Sequence, residues 1–94
     1  AQALSRMRFD ISFLGTLELN VADDCVSTFD MEDGTIKQTV LANSRKSYLV
    51  ADSHKFHTRG NYCYARLSDF TGIVTDSIDD KRRAEIVGLG IDVL

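Results

Sequence analysis

The chain has 94 residues, 44% of them hydrophobic and 27% charged, with a formal net charge of −3. These values suit one small globular domain and exclude a wholly disordered chain, a collagen-like repeat and a disulfide-dense scaffold. No run of 18 apolar residues is present to span a membrane as a helix, and no charged n-region with an apolar h-region opens the chain as a signal peptide would. The acidic balance makes the chain itself a poor grip for nucleic acid, because phosphate binding relies on clustered Lys and Arg.

The chain starts at Ala1 and is small for the pattern it carries. It is therefore expected to be an excised piece that pairs with something, since a domain of this size buries too little surface to be more than marginally stable alone. Cys25 and Cys63 could form one bridge, but two cysteines give no framework, and they make no C-x-x-C and no zinc spacing. Without a leader they are expected as two free thiols in a reducing compartment.

Ala3, Leu4 and Met7 stand at helical spacing, so residues 1–8 are predicted to end a helix. Phe9 to Leu14 is a strand-type run stopped by Gly15. Leu17, Leu19 and Val21 alternate with polar residues as an edge strand would, and the rest of 16–29 is predicted as a long loop. Asp30 to Ser44 is the clearest helix. Thr28 and Asp30 are candidate N-caps, Glu32 and Asp33 suit the first turn, Asp33 and Lys37 are spaced i,i+4, and Arg45 and Lys46 close the C-terminal end.

Ser47 to Ala51 is a buried-type strand ending at Asp52, followed by a polar loop over 53–61 with a short turn at Ser53 to Phe56. Tyr62 to Leu67 is strand or irregular. Gly72 to Thr75 is a strand ending at Asp76, Asp79 to Leu89 a helix stopped by Gly88 and Gly90, and Ile91 to Leu94 a final strand. Apolar strands separated by helices imply an α/β fold, a Rossmann-like, mostly parallel sheet with helices on both faces.

Open parallel sheets bind ligands outside the carboxyl ends of their strands. That rule selects Gly15-Thr16, Asp52-Ser53-His54-Lys55 and Thr75-Asp76, with the N-terminus of helix 30–44 at the same edge. Asp52 offers an acceptor to sugar hydroxyls and Lys55 a point charge to a phosphate, which together fit a polyol phosphate. On spacing alone, a strand-end capping Asp beside a solvated Lys is the simpler reading. Lys37 bridges most simply to Asp33, whereas Glu32 in the first turn could face a ligand. His54 and His57 flank Lys55 without a third metal ligand or a Ser/His/Asp arrangement. Lys81-Arg82-Arg83 reads as a solvated helix face, and Tyr48, Tyr62, Tyr64 and Phe70 as core or interface.

The run Asp10-Ile-Ser-Phe-Leu-Gly15 resembles the D-I-x-F-x-G strand of DeoR-type transcriptional repressors, in their C-terminal effector-sensing domain. Val26-Ser-Thr-Phe-Asp30-Met-Glu32 with Lys37, Leu49-Val-Ala-Asp52-Ser-His-Lys55-Phe56, Leu67-Ser-Asp-Phe70 with Ile73-Val-Thr-Asp76, and Gly90-Ile-Asp-Val93 resemble further segments of that family, in order along nearly the whole chain. The resemblance implies a ribose-5-phosphate isomerase-like fold without enzymatic activity and without a cofactor. It implies a bacterial cytoplasmic regulator whose effector is a phosphorylated sugar, which acts as a homo-oligomer and meets operator DNA through a separate N-terminal helix-turn-helix domain. It makes Glu32, Lys37, Asp52 and Lys55 candidate effector-site residues framed by Gly15 and Asp76. The alternative from another class is a sugar-phosphate isomerase-like enzyme fragment, with Asp52 or Glu32 as the carboxylate base.

Overall fold

The computed structural model describes residues 6–56, 60 and 62–94. The start of the expected N-terminal helix and His57 lie outside the described residues, and Arg6 to Arg8 are not helical. The chain then forms β1 (Phe9–Gly15), β2 (Glu18–Asn20), β3 (Cys25–Thr28), α1 (Met31–Ala42), β4 (Ser44–Val50), a 3-10 turn (Ser53–Phe56), β5 (Tyr62–Ala65), a second 3-10 turn (Leu67–Asp69), β6 (Gly72–Val74), α2 (Asp80–Gly88) and β7 (Asp92–Val93).

Four strands make a parallel sheet in the order β1-β4-β6-β7. This is the expected α/β architecture. The order never reverses, so right-handed crossovers place every connection on the same face. That face carries both described helices. Ser12, Leu14, Ser47, Leu49 and Ile73 point into it and are buried, and Ile86 of α2 joins the same core. No described helix covers the opposite face, where helices were expected. There Ile11 is 52% exposed, Phe13 64% and Val50 44%. The Phe13 ring stacks on Tyr48 with 5.6 Å between centroids.

The segment expected as one edge strand and a long loop is instead a hairpin. β2 and β3 are antiparallel, and β5 adds to β3 to complete a second sheet, β2-β3-β5. The turn between β2 and β3 has no glycine. Asp24 takes the left-handed position at φ 51° and is held there from afar. Its carboxylate accepts from the Ser68 amide at 2.9 Å, the Ser68 hydroxyl at 2.7 Å and Arg66 Nε at 3.2 Å. Leu19, Val26 and Tyr64 turn inward from this sheet and are buried.

α1 begins where expected. Asp30 is its N-cap, accepting from the Glu32 amide at 2.9 Å. It ends at Ala42 rather than at Ser44. Arg45 and Lys46 lie exposed in β4 instead of closing the helix, because β1 pairs with β4 from Phe9↔Ser44 onward and draws these residues into the ladder. Gly34 is buried where α1 crosses β5, and a β-carbon there would stand 2.7 Å from the Tyr62 ring. α2 starts at the Asp79 cap, whose carboxylate accepts from the Arg82 amide at 2.7 Å. It stops before Gly90, which has φ +86°.

Cys25 and Cys63 are joined as a disulfide between β3 and β5, with Cα atoms 5.8 Å apart. The expectation of two free thiols fails on this placement. That expectation rested on a reducing compartment and not on geometry, whereas antiparallel pairing of β3 with β5 brings two positions 38 residues apart within bridging distance.

Candidate functional site at the carboxyl edge of the parallel sheet

β1, β4 and β6 run in register to a common edge, where Gly15 pairs with Val50 and Val50 with Val74. The segments leaving those strands carry most of the candidate residues. α1 runs antiparallel to the strands, so its N-terminus returns to this edge. Two clusters result.

The first is built around Gly15. Lys37 Nζ donates to the Gly15 carbonyl at 2.8 Å and pairs with Asp33 at 3.0 Å. The Tyr64 hydroxyl donates to the same carbonyl at 3.3 Å. The Lys37 ammonium also lies 5.6 Å from the centre of the Tyr64 ring. Burial pushes the Tyr64 phenol far above its ordinary range. The adjacent Thr16 hydroxyl lowers it in part, and the charge of Asp33 raises it further. The Thr28 hydroxyl donates to Asp33 at 3.3 Å, and the Thr16 hydroxyl to the Ser27 carbonyl at 2.9 Å. A β-carbon at Gly15 would meet nothing within 4 Å, so the space beside it is open. The sequence-level pairing of Lys37 with Asp33 holds. The contacts to Gly15 and to Tyr64 could not be foreseen, since their partners lie 22 and more residues away.

The second cluster joins the segments after β4 and β6. Asp52 accepts from the His54 amide at 3.0 Å, and its carbonyl accepts from the Lys55 amide at 3.1 Å. Asp76 accepts from the Ser77 amide at 2.8 Å and the Ser53 amide at 2.9 Å. Those amides, Ser77 first, hold its carboxyl below the ordinary carboxylate value. Asp52 thus behaves as a capping residue, and Asp76 ties the two loops together. Lys55 is half-buried on this turn, and its ammonium has no hydrogen-bonding or charged partner among the described residues.

Glu32 joins neither cluster. It lines an open groove of about 540 Å³ with Met31, Thr35 and Ile36 at the start of α1. Among the described residues no group of three or more His, Cys, Asp or Glu could hold a metal ion. No described helix is long and apolar enough to cross a membrane.

A parallel sheet with its described helices on one face and polar loops gathered at its carboxyl edge defines an α/β domain whose candidate binding residues lie along that edge. Residues 1–77 match the family described as the DeoR C terminal sensor domain, and the chain belongs to that family. It is 30% identical over 92 residues to the HTH-type transcriptional regulator GlpR of Haloferax volcanii, covering 97% of this chain and 36% of that protein. It is 32% identical over 79 residues to the glycerol-3-phosphate regulon repressor of Haemophilus influenzae, covering 80% of this chain and 31% of the repressor. It is also 32% identical over 75 residues to an uncharacterized HTH-type transcriptional regulator, FruR, of Bacillus subtilis, covering 80% of this chain and 30% of that protein. The chain therefore spans about a third of the length of these relatives.

Proposed function

We propose that this chain is part of the effector-sensing domain of a cytoplasmic, sugar-responsive transcriptional regulator. Its effector is a small phosphorylated polyol or sugar, bound at the carboxyl edge of the parallel sheet. The observation that carries this reading is the Lys55 ammonium, unpaired among the described residues, on the turn that Asp52 and Asp76 fix at that edge. A cation unpaired among the described residues beside polar loops suits an anionic group, and Asp52 retains a carboxylate oxygen for a ligand hydroxyl. Lys37, held at the Gly15 carbonyl, extends the ligand's surroundings from α1, Gly15 leaves the space open, and Glu32 stands apart in its own groove at the start of α1.

The resemblance to a repressor named for the glycerol-3-phosphate regulon supports a phosphorylated three-carbon polyol as the first effector to test. Asp52 already accepts from a backbone amide in an exposed turn, which suits binding better than proton transfer and supports a non-enzymatic role. Operator DNA is contacted by a separate domain of the longer protein, since this chain carries a net charge of −3. The apolar face of Ile11, Phe13 and Val50 supports association into a homo-oligomer. An effector that binds one oligomer arrangement better than another shifts operator affinity by that difference.

Thermal shift and calorimetry on the intact regulator, with glycerol 3-phosphate, hexose phosphates and inorganic phosphate, test the reading. Stabilisation by an organic phosphate, reduced in Lys55→Met, is expected. Absence of any response across the panel overturns it.

A further inference from the structure

We propose that Cys25 and Cys63 are a reversible dithiol–disulfide pair that locks or releases the three-stranded sheet beneath the candidate site. Cys25 opens β3 and Cys63 lies in β5, neighbouring antiparallel strands of that sheet. Their Cα separation of 5.8 Å is within the ordinary bridging range, so the bond can close and open without moving the strands apart first. Cys63 is exposed and Cys25 half-buried. A small thiol or disulfide in solution therefore reaches the pair, unlike a bridge sealed in a core.

The position gives the bond something to control. β3 runs on to Thr28, which donates to Asp33 at the start of α1. β5 carries Tyr64, which donates to the Gly15 carbonyl, and Tyr62, which packs against Gly34 of α1. One covalent link between these strands thus fixes both supports of the Lys37 cluster. The pair β3–β5 is also irregular, its register shifting between Val26 and Ser27, so the ladder is interrupted close to Cys25.

The oxidant required is a small-molecule disulfide of the glutathione type. The Cys63 thiolate attacks one of its sulfurs, the Cys63–glutathione bond forms, and one glutathione thiolate leaves. The Cys25 thiolate then attacks the Cys63 sulfur, the intrachain bond forms, and the second glutathione thiolate leaves. Two protein thiols are oxidised, losing two protons and two electrons, and one disulfide is reduced to two thiols. Excess reduced glutathione runs the same steps backward.

The test equilibrates the purified chain in buffers of varied reduced-to-oxidised glutathione ratio, followed by alkylation and intact-mass measurement. Under oxidising ratios the mass should fall by two hydrogens with loss of both alkylatable thiols, and reducing ratios should restore both without denaturant. The oxidised chain should melt at higher temperature than the reduced one. Cys25→Ser and Cys63→Ser should lose that redox-dependent shift, with the reduced parent as their reference should either variant fold poorly. The proposal is overturned by thiols that stay alkylatable at every ratio, by a glutathione adduct on Cys63 that never closes onto Cys25, by a bridge that resists reduction in the folded chain, or by identical melting of the two forms. None of these readouts requires an effector, so they stand or fall apart from the sensing role.

Discussion

Lys37 reaches back 22 residues to donate to the carbonyl of Gly15 at 2.8 Å, pinning the first helix to the end of the first strand. The same ammonium pairs with Asp33 and lies by the Tyr64 ring, and its side chain is only 19% exposed. Lys37 is therefore part of the fold as well as of the candidate site. Lys55, on the neighbouring turn, is held by no such contact among the described residues.

This contrast predicts opposite phenotypes. Lys37→Met should cost about 1–2 kcal/mol of stability, the scale of a partly exposed hydrogen bond from a charged group. Lys55→Met should stay within about 0.5 kcal/mol of the parent. Urea unfolding of the two variants checks both values. In the intact regulator, Lys55→Met should weaken effector binding by about 1.5–3 kcal/mol, as loss of a hydrogen bond to a charged group does. Unchanged calorimetric affinity would move the phosphate site away from Lys55.

Gly34→Ala should destabilise the chain even though alanine favours helix by roughly 1 kcal/mol. The added β-carbon would stand 2.7 Å from the Tyr62 ring and 3.2 Å from Tyr64 Cβ, so the ring and the helix must shift to admit it. Overpacking of this kind costs about 1–3 kcal/mol. Thermal unfolding of Gly34→Ala against the parent decides the sign.

Stability should fall on acidification. Desolvation works against the Asp24 charge, but hydrogen bonds from the Ser68 hydroxyl and amide and from Arg66 outweigh it and hold the carboxyl low. Asp76 is held low chiefly by the Ser77 and Ser53 amides. A carboxyl with a depressed folded pKa stabilises above its unfolded value and loses that contribution as the pH falls through the folded value, here below the ordinary 3.8. Tyr64 gives the alkaline counterpart. Its raised phenol favours the folded state up to the ordinary 10.0, and that contribution drains away as the pH rises further. Asp24→Asn should flatten the acid limb of a stability–pH curve measured by urea midpoints.

Phe13→Glu should shift self-association toward monomer while leaving the fold intact, because Phe13 is 64% exposed and gives little to the core. Sedimentation of the parent and variant at matched concentration measures it. A parent that is monomeric at high concentration would remove the exposed face as an oligomer contact. The chain alone should also fail to retain operator duplex at physiological salt, given its net charge of −3, which fluorescence anisotropy reports directly.

The sequence by itself determined what depends on neighbours a few residues apart. Alternating apolar residues with Gly15 as a stop marked β1, and Asp30 with Glu32 and Asp33 marked the start of α1. Asp79 and Gly90 bounded the second helix in the same way. The strand–helix order implied a parallel sheet whose carboxyl edge collects Gly15, Asp52, Lys55 and Asp76. Tertiary structure alone decided the rest. The β2–β3 hairpin was hidden because its left-handed residue is an aspartate, stabilised by Ser68 44 residues away rather than by a local glycine signal. The Cys25–Cys63 bridge, the end of α1 at Ala42 and the junction of Lys37, Tyr64 and Gly15 likewise follow from strand pairing and packing. The cover on a single face follows from strand order, which no local periodicity encodes. Hydrogen-bond and backbone preferences act over one or two turns and leave a trace in the sequence, whereas register and crossover direction are fixed only when distant strands compete for the same partner.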